Sequence, residues 1–230
     1  MVNIDTVYQR VLALANKEQR GYITPIQFNL FANQAQMDIF EQYFYDRALF
    51  GRVPGNSTVH ADNVDILEEK ISVFESTLPL TMSNSVGSLN ALGNFYRLTS
   101  VRDGNIFFES VTRKKARLFQ LSPLVSPTET RPVYTLDQAN NRITVFGRTP
   151  ASVDIDYIKV PEKVAWSGFN VGSETFLYNS TDSLNFELHA SEEPNLVLNI
   201  LKLAAISMKD TNLYQMASAE ETKDIQQEKQ

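Results

Sequence analysis

Phe95-Tyr96-Arg97-Leu98-Thr99-Ser100-Val101-Arg102-Asp103-Gly104-Asn105-Ile106-Phe107-Phe108-Glu109-Ser110-Val111 is the stretch that decides the fold. Its halves are rich in β-branched and aromatic residues, and Asp103-Gly104 between them supplies the positive φ of a tight hairpin turn. The pattern predicts antiparallel strands over 95–101 and 106–111. A second hairpin is expected over 133–136 and 143–146 around Asn140-Asn141, and Val153-Asp154-Ile155-Asp156-Tyr157-Ile158 follows as a further strand. The middle of the chain is therefore expected to be an antiparallel meander.

Outward from this centre the periodicity changes. Ile4, Val7, Tyr8, Val11, Leu14 and Ala15 recur at helical spacing, and Gly21-Tyr22 breaks the run. Thr24-Pro25-Ile26-Gln27 then combines an N-cap, a proline at the first helical position and a capping-box glutamine, with Ile23 and Phe28 placed as a staple. In the helix that follows, to Phe50, the residues Phe28, Phe31, Ala35 and Ile39 form one stripe and Met37, Phe40 and Phe44 another. A helix apolar over more than one face is expected between neighbours, some from another chain. This makes Phe31, Phe40 and Phe44 candidate subunit or tail contacts.

Loops are expected over 52–63 and 83–94, while 64–74 suits either helix or strand. The stretch 161–182 is expected to be a long projecting loop, with Trp166, Phe169 and Phe176 as contact candidates. Trp166 is open between a buried anchor and a loop-tip contact. Strand-like alternation over 185–189 leads to Ser191-Glu192-Glu193-Pro194, a cap with acids in the first helical turn, and Leu196, Ile200, Leu203, Ala204 and Met208 continue the helix. Residues 218–230 hold only Ala219 and Ile225 as apolar side chains, too few to dock on a core, so this segment is expected to be disordered alone or helical on a partner.

These elements imply an α+β fold, with a helical layer from the N- and C-terminal segments packed on a central antiparallel sheet or small barrel. The domain expectation is one structural domain over 1–217 (helical to 50, mainly strands over 64–160, long loop over 161–183, strand plus helix over 184–217) and a polar arm over 218–230.

Composition narrows the function. Of 230 residues 43% are apolar and 21% charged, the range of folded globular chains. Absence of cysteine removes disulfides, thiolate nucleophiles and zinc–cysteine sites. A net charge of −6 gives no global drive toward nucleic acid. Met1-Val2-Asn3-Ile4-Asp5 lacks the features of a signal peptide, so synthesis in the cytoplasm is expected. His60 and His189 are the two histidines, and no hydrolase or nucleotide motif is present. Asp154 and Asp156 share a strand face as a carboxylate pair could, but the simpler reading is the polar face of a half-exposed strand. Arg113, Lys114, Lys115 and Arg117 form the densest basic run, either a solvated face or a patch for phosphates or an acidic neighbour. No cofactor, metal or enzymatic step is expected.

The order of elements resembles head-to-tail adaptor proteins of short-tailed bacteriophages. Val153-Asp154-Ile155-Asp156-Tyr157-Ile158-Lys159-Val160-Pro161, a tyrosine-containing strand ending at proline, and Asn185-Phe186-Glu187-Leu188-His189-Ala190-Ser191-Glu192-Glu193 look like segments of virion connector and ring proteins, including those of crAss-like phages. The resemblance implies a homo-oligomeric ring, twelve-fold to match a portal, that meets other connector or tail proteins and lets genomic DNA pass without sequence-specific binding or membrane contact. It also implies that the C-terminal segment docks on the portal, through Tyr214, Glu220, Glu221, Ile225, Gln226 and Lys229. The alternative is a ligand-recognition module that binds carbohydrate or nucleic acid through Trp166 and the basic run.

Overall fold

The computed structural model describes residues 1–15, 23–50, 58–171, 175–208 and 211–228. The Gly21-Tyr22 break, the first part of the 52–63 loop and Lys229 lie outside them. The fold is α+β, with six α-helices and an eight-stranded, mostly antiparallel sheet among the described residues. The chain divides into two compact units, Met1–Val73 with Pro161–Gln230, and Phe74–Val160. Unit 2 is thus inserted into the chain of unit 1, an arrangement that the reading of 1–217 as one domain does not contain.

Unit 1 holds the helices α1 (Ile4–Ala15), α2 (Pro25–Phe50), α3 (Thr58–Ser72), α5 (Glu193–Met208) and α6 (Thr211–Glu228). The capping box at the start of α2 is formed: Gln27 N–H donates to the Thr24 hydroxyl at 3.3 Å and Thr24 N–H to Gln27 Oε1 at 3.2 Å, a device worth about 1 kcal/mol. Phe28, Ala32, Ala35, Ile39, Phe40 and Tyr43 are buried along one side of α2. The helix is therefore one-sided; Ile26 and Leu30 lie on the other side, 83% and 69% exposed. Apolar residues on both sides made it look like a helix enclosed all round. α5 packs against α1, α2 and α6, and α3 against α2. Within this core Lys70 and Glu192 pair at 2.6 Å, with both side chains largely enclosed, and Asn195 donates to the second carboxylate oxygen at 3.1 Å. Breaking such a pair costs more than it contributes, since it strands a buried charge.

Residues 161–182 are not one loop. The first part runs extended along α2, where three amide side chains take the place of a neighbouring strand. Asn29 accepts from Trp166 N–H at 2.7 Å and donates to its carbonyl at 3.0 Å. Asn33 does the same for Val164, at 3.0 and 2.9 Å, and Gln36 donates to the Glu162 carbonyl at 2.8 Å. The spacings of the two reciprocal pairs match because four helical residues, Asn29 to Asn33, rise about 6 Å and two extended residues, Val164 to Trp166, span about 7 Å. A hairpin follows, β9 (Gly168–Val171) with β10 (Thr175–Tyr178). The strand expected over 185–189 is instead a single bridge, Phe186 to Val2, and Asn185 Oδ1 accepts the Ile4 N–H at 3.0 Å.

Unit 2 is built from β1 (Glu75–Ser83), β2 (Val86–Ser88), β3 (Phe95–Asp103), β4 (Ile106–Phe107), β5 (Glu109–Ser110), β6 (Val133–Asp137), β7 (Arg142–Phe146) and β8 (Ser152–Lys159), with helix α4 (Arg113–Leu121). The sheet order β4-β3-β8-β1-β2-β7-β6-β5 corrects the meander, since β8 lies between β3 and β1. The hairpin around Gly104 (φ 60°) exists but is short: only Arg102 and Asp103 pair with Phe107 and Ile106. Past Phe108 the chain leaves β3 and pairs in parallel with β6. The two ends of the sheet are thus successive halves of one strand, and the sheet closes on itself as a small barrel. Leu80, Met82, Val101, Phe108, Ile143 and Ile155 are among its core residues. The β6–β7 hairpin forms as read, with Asn141 at φ 47°.

Gly147 has φ 90°, and an added Cβ would lie 2.8 Å from the backbone of Pro127 and Thr128, so only glycine fits that turn. β1 lies in the region 64–160 expected to be mainly strands, where no individual strand was assigned to it, and it contains Pro79. β2 meets β1 only at Met82 and Ser83, so Pro79 sits on an edge, where a missing N–H is tolerated. The region 64–74 resolves as helix up to Ser72, and residues 58–63 belong to that helix rather than to a loop.

Two outcomes are expected. Residues 74–160 begin and end on the paired strands β1 and β8, so expressed alone they give a cooperative urea transition; a non-cooperative, molten product would contradict an autonomous insertion. Asn33→Ala leaves both main-chain groups of buried Val164 without partners and lowers unfolding free energy by about 2–3 kcal/mol, read as a lower urea midpoint at unchanged slope.

Candidate assembly surfaces

The basic run lies on α4, a helix that its charges concealed. Thr112 caps it, the hydroxyl accepting the Lys115 N–H at 3.4 Å. Its inner side, Ala116 and Phe119, packs with Val111, Val133 and Phe146. Arg113 is an ion-pair residue, 2.6 Å from Asp137 at the end of β6. The Asn140 amide first, and Arg113 with it, hold the Asp137 carboxyl below the usual range. Lys114, Lys115 and Arg117 are exposed and make no ion pair among the described residues. At helical spacing Lys114, Arg117, Leu118 and Leu121 share the outer face. Leu121 is 81% exposed, and beyond Pro123 Leu124 is 95% exposed. The three-residue recurrence of Leu118, Leu121 and Leu124 after a threonine cap was the available signal for this apolar component.

The C-terminal candidates lie on α6, which begins at Thr211 and runs through the segment expected to be without structure on its own. Ala217 is buried, whereas Tyr214 is exposed and Met216 is 73% exposed. Glu220 is exposed and pairs with Lys223 at 3.1 Å. Glu221, Ile225 and Gln226 fall within the helix, but their side chains, like Lys229, are outside the description.

Among the aromatic candidates, Phe40 is fully buried, with its ring 5.0 Å from that of Phe44, and it is unavailable for a subunit contact. Phe31 and Phe44 are half-buried. Trp166 is a buried anchor, 5% exposed: its ring lies 4.4 Å from Tyr8, and its Nε1–H donates to Asp5 at 3.0 Å. That corrects its assignment as an outward contact. Phe169 on β9 is exposed. Phe176 on β10 pairs through its backbone with Asn170, and its side chain is not described.

The carboxylates Asp154 and Asp156 do share a face, with Arg102 4.0 and 3.9 Å from them. Thr77 and Ser100 both donate hydroxyls to Asp156. His189 caps the short turn at 190–192, its Nδ1 accepting the Ser191 N–H at 3.3 Å. Among the described residues no group of three or more His, Cys, Asp or Glu could hold a metal ion, and no helix is long and apolar enough to cross a membrane. Unit 2 also has an open polar cavity of about 570 Å³, whose lining includes Asn84, Gln120, Glu129 and Arg148; Arg148 is held by Asp103 at 2.6 Å.

Compared with known proteins, the chain matches no family model and no curated sequence.

The Ser100 hydroxyl chiefly, then Thr77 and, more weakly, Arg102, hold the Asp156 carboxyl below its ordinary value of 3.8. A depressed folded-state value means that the carboxylate stabilises the fold above the unfolded value and loses that contribution as pH falls through the folded one. Asp156→Asn is therefore expected to flatten the decline of unit 2 stability below about pH 4. Urea midpoints measured between pH 2 and 7 check this; an unchanged acid limb would remove Asp156 from the account.

Proposed function

We propose that this chain is a non-catalytic virion structural protein, a head-to-tail connector subunit that forms a ring with copies of itself beneath a portal. The observation that carries the reading is α6, a helix of 18 residues that leaves Tyr214 and Met216 in solvent. Exposed apolar side chains on a terminal helix are a common mark of a surface completed by another chain. The exposed apolar residues of α2 and α4 point the same way, and Asp154 and Asp156 are engaged by Arg102, Thr77 and Ser100 rather than left for chemistry. The resemblance to adaptor and ring proteins of short-tailed and crAss-like phages supplies the partners: portal, neighbouring connector or tail proteins, and DNA passing through the lumen. The virion is the corresponding location. The carbohydrate or nucleic-acid module loses its aromatic platform, because Trp166 is buried.

Native mass spectrometry of the chain mixed with the portal protein encoded near it is expected to give a ring-on-ring complex. Removing 218–230 is expected to leave the urea transition of the rest intact and reduce that complex at least tenfold. A chain that remains monomeric and has no affinity for portal would end the proposal.

A further inference from the structure

The two units carry opposite charge. Phe74–Val160 has ten Lys and Arg against seven Asp and Glu, net +3, which leaves net −9 on unit 1. Each unit exposes a helix face that mixes apolar residues with charge of that sign. On α4 the face is Lys114, Arg117, Leu118 and Leu121, continued by Leu124. On α2 the outer stripe holds Ile26, Leu30, Glu41 and Tyr45, with Asp38 on its flank, all exposed.

We propose that α4 of one copy docks antiparallel on the outer face of α2 of the next. Lys114 to Leu121 spans about 10 Å and Leu30 to Asp38 about 12 Å at 1.5 Å per residue. Antiparallel packing therefore sets Leu121 against Leu30 and Lys114 against Asp38, with Glu41 about one turn beyond Lys114 and Asp38 also within reach of Arg117. The apolar half favours a protein surface over nucleic acid, and the charge match favours a second copy, which carries the complementary face itself. The contact is heterologous, because two different patches meet, and so it propagates into a ring or a filament. This inference rests on the assembly reading and names its interface.

The chain has no cysteine, so single cysteines report contacts directly. Leu30→Cys and Leu121→Cys, made in separate full-length proteins, mixed and mildly oxidised, are expected to yield a heterodimer of twice 26.0 kDa. The yield is expected to be at least tenfold that of Leu30→Cys mixed with the control Leu177→Cys. Adding Lys114→Glu and Arg117→Glu to the Leu121→Cys protein is expected to abolish the product, and Asp38→Lys with Glu41→Lys on the other protein to restore it. Equal yields with the control, or no effect of charge reversal, would overturn the proposal. So would sedimentation with phosphatidylserine vesicles without the cross-link, which would assign the α4 face to a lipid surface. Portal binding without the cross-link leaves the connector reading standing and removes this interface; the cross-link without portal binding does the reverse.

Discussion

When the chain leaves unit 2 at Pro161 it enters unit 1 as extended backbone beside a helix, and a helix has no free main-chain groups to offer. The N–H and carbonyl groups of buried Val164 and Trp166 would be left without partners, each costing about 1–3 kcal/mol. Asn29, Asn33 and Gln36, spaced along one flank of α2, present amide groups that stand in for a strand edge. Their alignment fixes the register of the segment, and register brings Trp166 onto Tyr8 and its indole N–H to Asp5. The same hand-over leads on to Phe186 and Asn185, which fasten the N-terminal segment. α5 follows with its apolar side toward α1 and α2.

Local devices were legible in the sequence because their chemistry is complete within a few residues. The Thr24–Gln27 box, the turn at Asn141 and the entry into α5 all carry their determinants in place. Long-range features were not. Phe108 marks the point where one strand changes partners and closes the barrel, and no composition signal distinguishes a strand that pairs twice from one that pairs once. β1 was not singled out, and Pro79 within it is tolerated because that part of the strand is an edge. The amide ladder left a trace, three amides at helical spacing, yet the polar flank of a helix usually faces water. Of the candidate surfaces, the charges of α4 could be read directly. Its exposed leucines could not, since an apolar residue at helical period is assigned to the core by default, and here only Ala116 and Phe119 go there. Trp166 stood open between a buried anchor and a loop-tip contact, because the hydrogen bonds that decide for the anchor come from residues far away in sequence.

The two units divide the work of stability differently. Unit 2 relies on barrel closure, which leaves few open edges for unwanted pairing. Unit 1 relies on helix packing and on a few enclosed polar pairs such as Lys70 with Glu192. The charged and apolar surfaces left over lie on elements already fixed by these cores, so a partner meets preformed faces on α2 and α4, and little ordering entropy opposes association.

The inserted position of unit 2 also sets a schedule for the nascent chain. Ile4 waits for Asn185, 181 residues later, and at about 5–20 residues per second that delay lasts roughly 10–40 seconds on the ribosome. Throughout it the core sides of α1 and α2 have no covering from 161–208, whereas 74–160 can fold as soon as it emerges. A completed barrel then joins the two halves of unit 1 at paired strands, shortening the effective loop that must close between Ile4 and Asn185 from 181 residues to the 70 before Phe74 and the 25 after Val160. The insertion thus serves as a folding staple for the domain it interrupts.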